Sequence, residues 1–249
     1  MSINFFKHSE ENNSNLRFEK KYRISIQEYY AIKNSLAPYM DFDSFTSIAP
    51  VKKYLVRSLY FDTRDYRTYK EKINGDSNRI KFRIRTYDSQ PKENADIRVE
   101  LKVRIGNLME KHWSFISLQQ YETLPKKQKT HLDNNPVLVE FLRYIHKWDL
   151  VPKTLVQYLR EGFQSNRQDG IRITFDHDIQ CAYSKDLFPK DIHWRKHYHS
   201  YVVMEIKYKE NFPFWLNNLI HSYNLKIVPN SKYTNSIELA SKDITLAAW

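Results

Sequence analysis

The chain has 249 residues, with 40 Lys and Arg against 29 Asp and Glu, which gives a formal net charge of +11. Aromatic residues make up 15% of it. Because disordered chains are poor in aromatic residues, we expect a folded protein with a sizeable core. The basic excess predicts an anionic partner, which would be nucleic acid, an acidic membrane face, or a phosphorylated molecule or polymer.

Several classes of protein are excluded by the composition. Cys181 is the one cysteine, so an internal disulfide is not available. Apolar runs stay well short of the ~20 residues that span a bilayer. The four glycines are too scattered for a dinucleotide-binding turn or a P-loop. We expect a disordered polar tail at 1–15, a single domain at 16–249 and a cytoplasmic location.

The chain begins with strand and helix signals and continues mainly as strands. Residues 16–24 alternate between apolar and charged side chains, which predicts a strand. Ser25 and Glu28 form a capping box for a helix that ends near Pro38. The segment 63–78 is polar and predicts a turn at its glycine. Further strands are predicted at 54–62, 79–87, 97–105, 111–117, 154–160, 171–175 and 201–209, and helices at 118–124, 136–148, 214–223 and 236–247.

The polar faces of these strands carry mostly Lys and Arg. In the strand 79–87, Lys81, Arg83 and Arg85 alternate with apolar residues. The polar faces of other predicted strands carry the basic residues Arg17, Lys21, Lys102, Arg104, Arg172 and Lys207. The same faces carry three carboxylates, which are Glu19, Glu100 and Glu205. Like charges on neighbouring strands repel, so an ordinary solvated face is expected to mix signs.

Two architectures remain open at this point. One is an ordinary antiparallel sheet with its polar side toward water. The other is a closed sheet whose charged faces line a channel. Packing many cations in an empty channel costs on the order of several kcal/mol per close pair, so we expect a polyanion to occupy it. The few carboxylates suggest a divalent metal that bridges phosphate oxygens.

Seven motifs occur in chain order and carry a family resemblance: RFEKKY (17–22), SLYFDT (58–63), KFRIRTY (81–87), VELK (99–102), RITFD (172–176), MEIK (204–207) and SKY (231–233). Together they resemble the catalytic domain of the vacuolar transporter chaperone (VTC) polyphosphate polymerases, in the triphosphate tunnel metalloenzyme superfamily. The resemblance implies an α+β fold, an eight-stranded antiparallel β tunnel barrel with flanking helices. It also implies transfer of the ATP γ-phosphate to a growing inorganic polyphosphate chain with Mn²⁺ or Mg²⁺.

The site residues follow from the resemblance and from the polar faces. Carried over by position, the phosphate-gripping residues are Lys21, Arg83, Arg85, Lys102, Lys111, Arg160, Arg172 and Lys232. Of these, we assign Lys111 and Arg160 to substrate binding and the other six to catalysis. The polar faces add Arg17, Lys81 and Lys207 to substrate binding. The resemblance gives Glu205 as a metal ligand, and Glu19 is a candidate second ligand.

The chain departs from the family in two respects. The hydrolase and cyclase branch of the superfamily opens with Glu-x-Glu-x-Lys, and Arg17 stands at the first position here. Loss of one carboxylate favours the polymerase branch. The sequence carries neither the regulatory domain nor the membrane segments common in the family. We therefore expect any membrane-protein partner in trans, at the inner face of a membrane, and leave the oligomeric state open.

Three alternatives to a polymerase stay open. They are a tripolyphosphate or nucleoside triphosphate hydrolase, a non-catalytic polyphosphate-binding subunit, and a nucleic-acid-binding protein suggested by charge alone. We expect no nucleic acid, because a duplex does not fit inside a small barrel. Asp62 and Asp176 are interpreted as turn residues at strand ends. Tyr60 and Tyr87 share the polar parity and either pack against a nucleotide base or form the rim.

Overall fold

The computed structural model describes residues 17–106, 108–124, 135–167, 169–198, 200–209 and 212–246. The tail predicted at 1–15 lies outside these residues. The strands are β1 (Phe18–Ser25), β2 (Met40–Phe42), β3 (Tyr54–Asp62), β4 (Arg79–Thr86), β5 (Ile97–Ile105), β6 (Leu108–Ile116), β7 (Val151–Ser165), β8 (Arg172–Ala182), β9 (Arg195–Lys196) and β10 (Tyr201–Tyr208). The helices are α1 (Ile26–Leu36), α2 (Ser44–Ile48), α3 (Arg67–Ile73), α4 (Leu118–Thr123), α5 (Pro136–Trp148), α6 (Phe214–Ser222) and α7 (Lys232–Leu246).

These strands form one antiparallel sheet. Eight of its strands follow the order β1-β10-β8-β7-β3-β4-β5-β6, while β2 pairs with β7 and β9 pairs with β8. Alternating residues point to opposite faces of each strand, so one face of the sheet is apolar and the other carries the charged side chains. Each of the eight strands in this order was predicted from the sequence.

The predicted eight-stranded closed barrel is corrected to a ten-stranded sheet whose ladder does not close. Within the described residues, the end strands β1 and β6 meet at an isolated bridge between Arg17 and Met109. The cause lies on the second edge of β1. There, Val228 N donates to Lys21 O at 2.9 Å, and Tyr22 forms a bridge with Ile227. Because the segment 227–228 occupies this edge, β6 cannot pair along it.

The helices cover the apolar outer face of the sheet. Helix α5 packs on this face, where the ring of Phe141 contacts those of Phe61 on β3 and Phe82 on β4 at centroid distances of 5.5 and 6.1 Å. Helices α1 and α6 cover the outer side of β1, β8 and β10. The helices thereby bury the apolar parity from outside and leave the charged parity facing inward.

Local signals account for several helix ends. In α1, Glu28 N donates to Ser25 Oγ at 3.2 Å, and Ser25 N donates to Glu28 Oε2 at 2.6 Å, which confirms the capping box. Helix α5 starts at Pro136 as predicted, and the Asn135 side chain accepts from Leu138 N. Helix α7 begins at Lys232, four residues before its predicted start.

Helix α3 lies in the segment that the sequence predicted as a polar loop. Its start is held by Asp62, a buried residue at the end of β3. The Asp62 carboxylate accepts from the backbone N–H groups of Thr63, Thr68 and Tyr69, and from the hydroxyl of Tyr233. The structural role predicted for Asp62 is thus present, and it caps a helix rather than a simple turn.

No helix in the described part of the chain is long and apolar enough to cross a membrane.

Candidate functional site

The inner face of the sheet encloses a cavity of about 850 Å³. Every predicted site residue lines it: Arg17, Glu19, Lys21, Lys81, Arg83, Arg85, Lys102, Lys111, Arg160, Arg172, Glu205, Lys207 and Lys232. Five cations that were not assigned to the site also line it: Lys20, Lys72, Arg79, Arg98 and Arg104. Among the described residues, sixteen Lys and Arg side chains therefore share this cavity with two Glu side chains.

The strand register places like charges directly beside one another. Lys81 on β4 lies opposite Lys102 on β5, and Lys102 lies opposite Lys111 on β6. Arg79 and Arg104 form a further pair across β4 and β5. Like charges in such positions destabilise a sheet, so the wall is favourable only if anions compensate it.

Glu100 supplies part of that compensation from behind the cations. It is fully buried on β5, and its Oε2 accepts from Arg83 Nε at 2.6 Å. Its Oε1 forms ion pairs with Lys111 Nζ at 2.7 Å and with Arg85 Nη1 at 3.9 Å. Burial alone would raise the pKa of Glu100, but the three cations hold that pKa well below its usual value. Arg83 also donates to the hydroxyl of Tyr60 at 3.1 Å.

Asp176 plays the corresponding part on β8. Its oxygens accept from Arg160 Nε and Nη2 at 2.6 and 2.9 Å and from Lys232 Nζ at 2.5 Å. Burial opposes ionisation, yet Arg160 and Lys232 lower the pKa of this carboxyl. The interpretation of Asp176 as a turn residue is wrong, because β8 continues to Ala182 and places it within the strand. The sequence could have shown this, because Asp176 is four residues from Arg172 and therefore lies on the same face of the strand.

Glu19 and Glu205 alternate with lysines across the neighbouring strands β1 and β10. Glu19 lies opposite Lys207, and Lys21 lies opposite Glu205. Lys21 Nζ is 3.6 Å from Glu19 and 3.7 Å from Glu205, while Lys102 donates to Glu19 at 2.8 Å. Burial would raise the pKa of Glu19 and of Glu205, but the surrounding lysines lower both, so both are ionised at neutral pH.

These two carboxylates fit a divalent cation that is held partly by its substrate. Mg²⁺ in phosphate-handling sites is typically bound by one or two carboxylates plus substrate phosphate oxygens. Within the described ranges, no group of three or more His, Cys, Asp and Glu side chains is arranged to hold a metal. Glu19 and Glu205 would therefore need phosphate oxygens to complete the coordination of the ion.

Several lysines of the cavity have a pKa below that of a free lysine, among them Lys81, Lys111 and Lys207. Lys81 Nζ donates to Ser231 Oγ at 2.7 Å, and the described residues place no carboxylate within ion-pair distance of it. Burial, followed by the neighbouring Lys21 and Lys102, lowers the pKa of Lys81 well below that of a free lysine. Burial also lowers the pKa of Lys111 to about 7, against the pull of Glu100. Both side chains would gain from a bound anion.

Other sequence signals have structural explanations. His197 is buried and its Nε2 lies 2.9 Å from Ser236 Oγ, while burial lowers its pKa to about 4. The segment 191–199 also contains His193 and His199, and His199 lies outside the described residues. Tyr60 and Tyr87 both line the cavity. Tyr60 stacks on Tyr233 at a centroid distance of 5.6 Å, and Tyr87 packs against Phe45 at 5.2 Å.

The fold and the site together define a protein with a cationic cavity built on an antiparallel sheet. The model of the VTC domain family matches residues 16–241. The chain belongs to this family, as the ordered motifs indicated. Family membership supports a function related to polyphosphate, while no curated protein matches the sequence significantly.

Solved structures align with the chain at low sequence identity. A proposed adenylate cyclase from Bacillus halodurans aligns with a TM-score of 0.51 and 14% identity, covering 87% of this chain and 94% of that one. The PH1819 protein from Pyrococcus horikoshii aligns with a TM-score of 0.45 and 10% identity, covering 90% and 99%. The first of these shows that the chain shares its fold with that protein.

Proposed function

We propose that this protein is a divalent-metal-dependent polyphosphate polymerase that transfers the γ-phosphate of ATP to a growing inorganic polyphosphate chain. The observation that carries the proposal is the cavity itself, where sixteen cationic side chains and two carboxylates line one space. A polyanion relieves the repulsion among these cations, and the VTC family relation supports polyphosphate as that polyanion.

The reaction needs positioned positive charge rather than a protein nucleophile. Phosphoryl transfer passes through a transition state with charge spread over the equatorial oxygens, so catalysis depends on positioning and electrostatic stabilisation. A terminal phosphate oxygen of the polymer attacks the γ-phosphorus of ATP, and ADP leaves. Every proton and bond in this exchange involves phosphate groups, which fits a cavity lined by donors.

The arginines are suited to grip the transferred group. Arg83 and Arg85 are anchored from behind by Glu100, and Arg160 is anchored by Asp176. A guanidinium offers a planar fork that matches two phosphate oxygens, and anchoring it beforehand reduces the entropy lost on binding. Lys21, Lys102, Lys111 and Lys232 add compact charges around the same space.

Glu19 and Glu205 are the residues that would hold a divalent ion. When bound, such an ion would neutralise part of the charge of the phosphate groups. Lys21 lies between both carboxylates and would keep its charge close to the same phosphates. Arg17, which stands where the hydrolase branch has Glu, lies 3.7 Å from Glu19 and supplies a further cation on that side.

The test is a gel of the products after the purified protein is incubated with ATP and Mn²⁺. The wild type should give a ladder of polyphosphate, and the double variant Arg83→Ala/Arg85→Ala should give none while it remains folded. Arg64→Ala is the matched control, because Arg64 is an exposed arginine paired with Asp149 outside the cavity. A ladder from the double variant would refute the proposal. Free orthophosphate without polymer would identify a hydrolase instead.

A further inference from the structure

A group of aromatic rings around one arginine lines part of the cavity. We call it the aromatic mouth and define it as Phe45, Tyr54, Tyr87, Arg98 and Trp113, all of which line the cavity. The Phe45 ring lies 5.2 Å from that of Tyr87 and 5.4 Å from that of Tyr54. The guanidinium of Arg98 lies 4.6 Å from the Trp113 ring and 5.0 Å from the Tyr87 ring.

The aromatic mouth is chemically different from the rest of the cavity. Arg98 donates from Nε to Asp96 Oδ1 at 2.7 Å and from Nη2 to Asp96 Oδ2 at 2.5 Å, so its charge is compensated and its plane is fixed. Lys81, which also lines the cavity, lacks such a carboxylate among the described residues and donates to Ser231 instead. A polyphosphate chain carries only charged oxygens and gains little from aromatic faces. The mouth is suited to a ligand with an uncharged ring.

The mouth directly adjoins the residues proposed to grip phosphate. Arg98 lies opposite Arg85 across β4 and β5, and Trp113 lies opposite Glu100 across β5 and β6. Glu100 anchors Arg83, Arg85 and Lys111. The aromatic mouth is therefore next to the residues that are proposed to hold phosphate. The Trp113 ring is 41% exposed and can accept another ring.

We infer that the aromatic mouth binds the base of the nucleoside triphosphate while its phosphates lie on the adjoining cations. This inference rests on the proposed function and names the substrate class more closely. Bases stack on aromatic rings and on guanidinium planes whatever their identity, because every base has a π-face. ATP and GTP should therefore bind with similar affinity, and both should bind more tightly than a triphosphate without a base.

The experiment measures dissociation constants of ATP, GTP and tripolyphosphate by calorimetry with the full chain. Trp113→Ala should weaken ATP about tenfold or more, as expected for the loss of one stacking platform, and should leave tripolyphosphate within about twofold. Trp113→Phe keeps a ring and should restore most of the ATP affinity. Tyr183→Ala is the matched control, since Tyr183 is 69% exposed and is not part of the cavity wall.

Fluorescence gives a second reading that does not depend on affinity. ATP should quench tryptophan emission in the wild type more than in Trp113→Phe, and tripolyphosphate should not show this difference. Equal losses of ATP and tripolyphosphate affinity in Trp113→Ala, or none for either ligand, would overturn the inference while leaving the phosphate grip in place. A wild type that binds neither ligand would overturn the proposed function as well.

Discussion

Lys111 and Lys81 line the cavity with side-chain pKa values below that of a free lysine, so binding a polyanion should take up protons at alkaline pH. Burial lowers the pKa of Lys111 to about 7, and burial with neighbouring lysines lowers that of Lys81. A phosphate chain beside them stabilises the ammonium form and raises both pKa values. The pH is therefore varied across the range in which these lysines lose their protons in the unliganded protein.

The magnitude follows from linkage. With a pKa of about 7, roughly one Lys111 side chain in ten is protonated at pH 8 in the free protein. If the complex restores the pKa of an exposed lysine, Lys111 takes up about 0.9 proton on binding at this pH. Lys207, whose pKa is also lowered to about 7, and Lys81 add to this uptake. Affinity should then fall by about tenfold per pH unit for each such lysine as pH rises between the free and the bound pKa.

Calorimetry of tripolyphosphate binding at pH 8, in two buffers with different heats of ionisation, measures this uptake. The ligand exchanges the same protons with the wild type and with a variant, so the difference in uptake between the two proteins isolates the lysine that was changed. Lys111→Gln should lower the uptake by about one proton, whereas the exposed Lys196→Gln should not change it. Equal uptake in the wild type and in Lys111→Gln would refute the reasoning.

Three further predictions concern the carboxylates. Glu100→Gln leaves three cations without their buried anion, and it should lower the free energy of unfolding in urea by about 3–5 kcal/mol, a loss that saturating tripolyphosphate should partly reverse. The same loss with and without ligand would contradict this. Asp62→Ala removes the acceptor for three backbone N–H groups and for the Tyr233 hydroxyl. Thermal unfolding should show that the free energy of unfolding falls by about 3 kcal/mol. A decrease below about 0.5 kcal/mol would count against the capping role of Asp62. Glu205→Gln should abolish the stimulation of product formation by Mn²⁺ while tripolyphosphate still binds in EDTA; unchanged stimulation would exclude Glu205 as a metal ligand.

The position of most cavity residues could be predicted because side-chain direction in a strand is a local property. Once Ile80, Phe82 and Ile84 are assigned to the core, the alternating Lys81, Arg83 and Arg85 must face the other way. The same reasoning applies to the alternating charges of β1, β5, β8 and β10. Local geometry therefore predicted the lining of the cavity without any knowledge of the closure of the sheet.

Other features depend on contacts between distant segments, which the pattern does not contain. The side-chain direction of Arg160 could not be read, because β7 carries apolar residues on both faces, with Leu155 and Leu159 on one and Val156 and Tyr158 on the other. Helix α3 has a polar sequence, and it begins after Tyr66 at a φ of 63° with no side-chain cap from that residue. Its start is stabilised by Asp62, which is itself bonded to Tyr233 in α7. The edge of β1 is likewise occupied by residues 227–228.

The buried carboxylates explain how a cavity wall of like charges can be stable and still bind an anion. Glu100 is fully buried, whereas the side chains of Arg83 and Lys111 remain 14% and 21% exposed toward the cavity. The anion thus lies behind the cations and fixes their geometry, while their donors still face the ligand. Because one carboxylate is shared by three cations, positive charge remains at that level of the cavity. A phosphate group supplies the missing compensation without reorganising the wall, which is the condition under which preorganised charge contributes most to phosphoryl transfer.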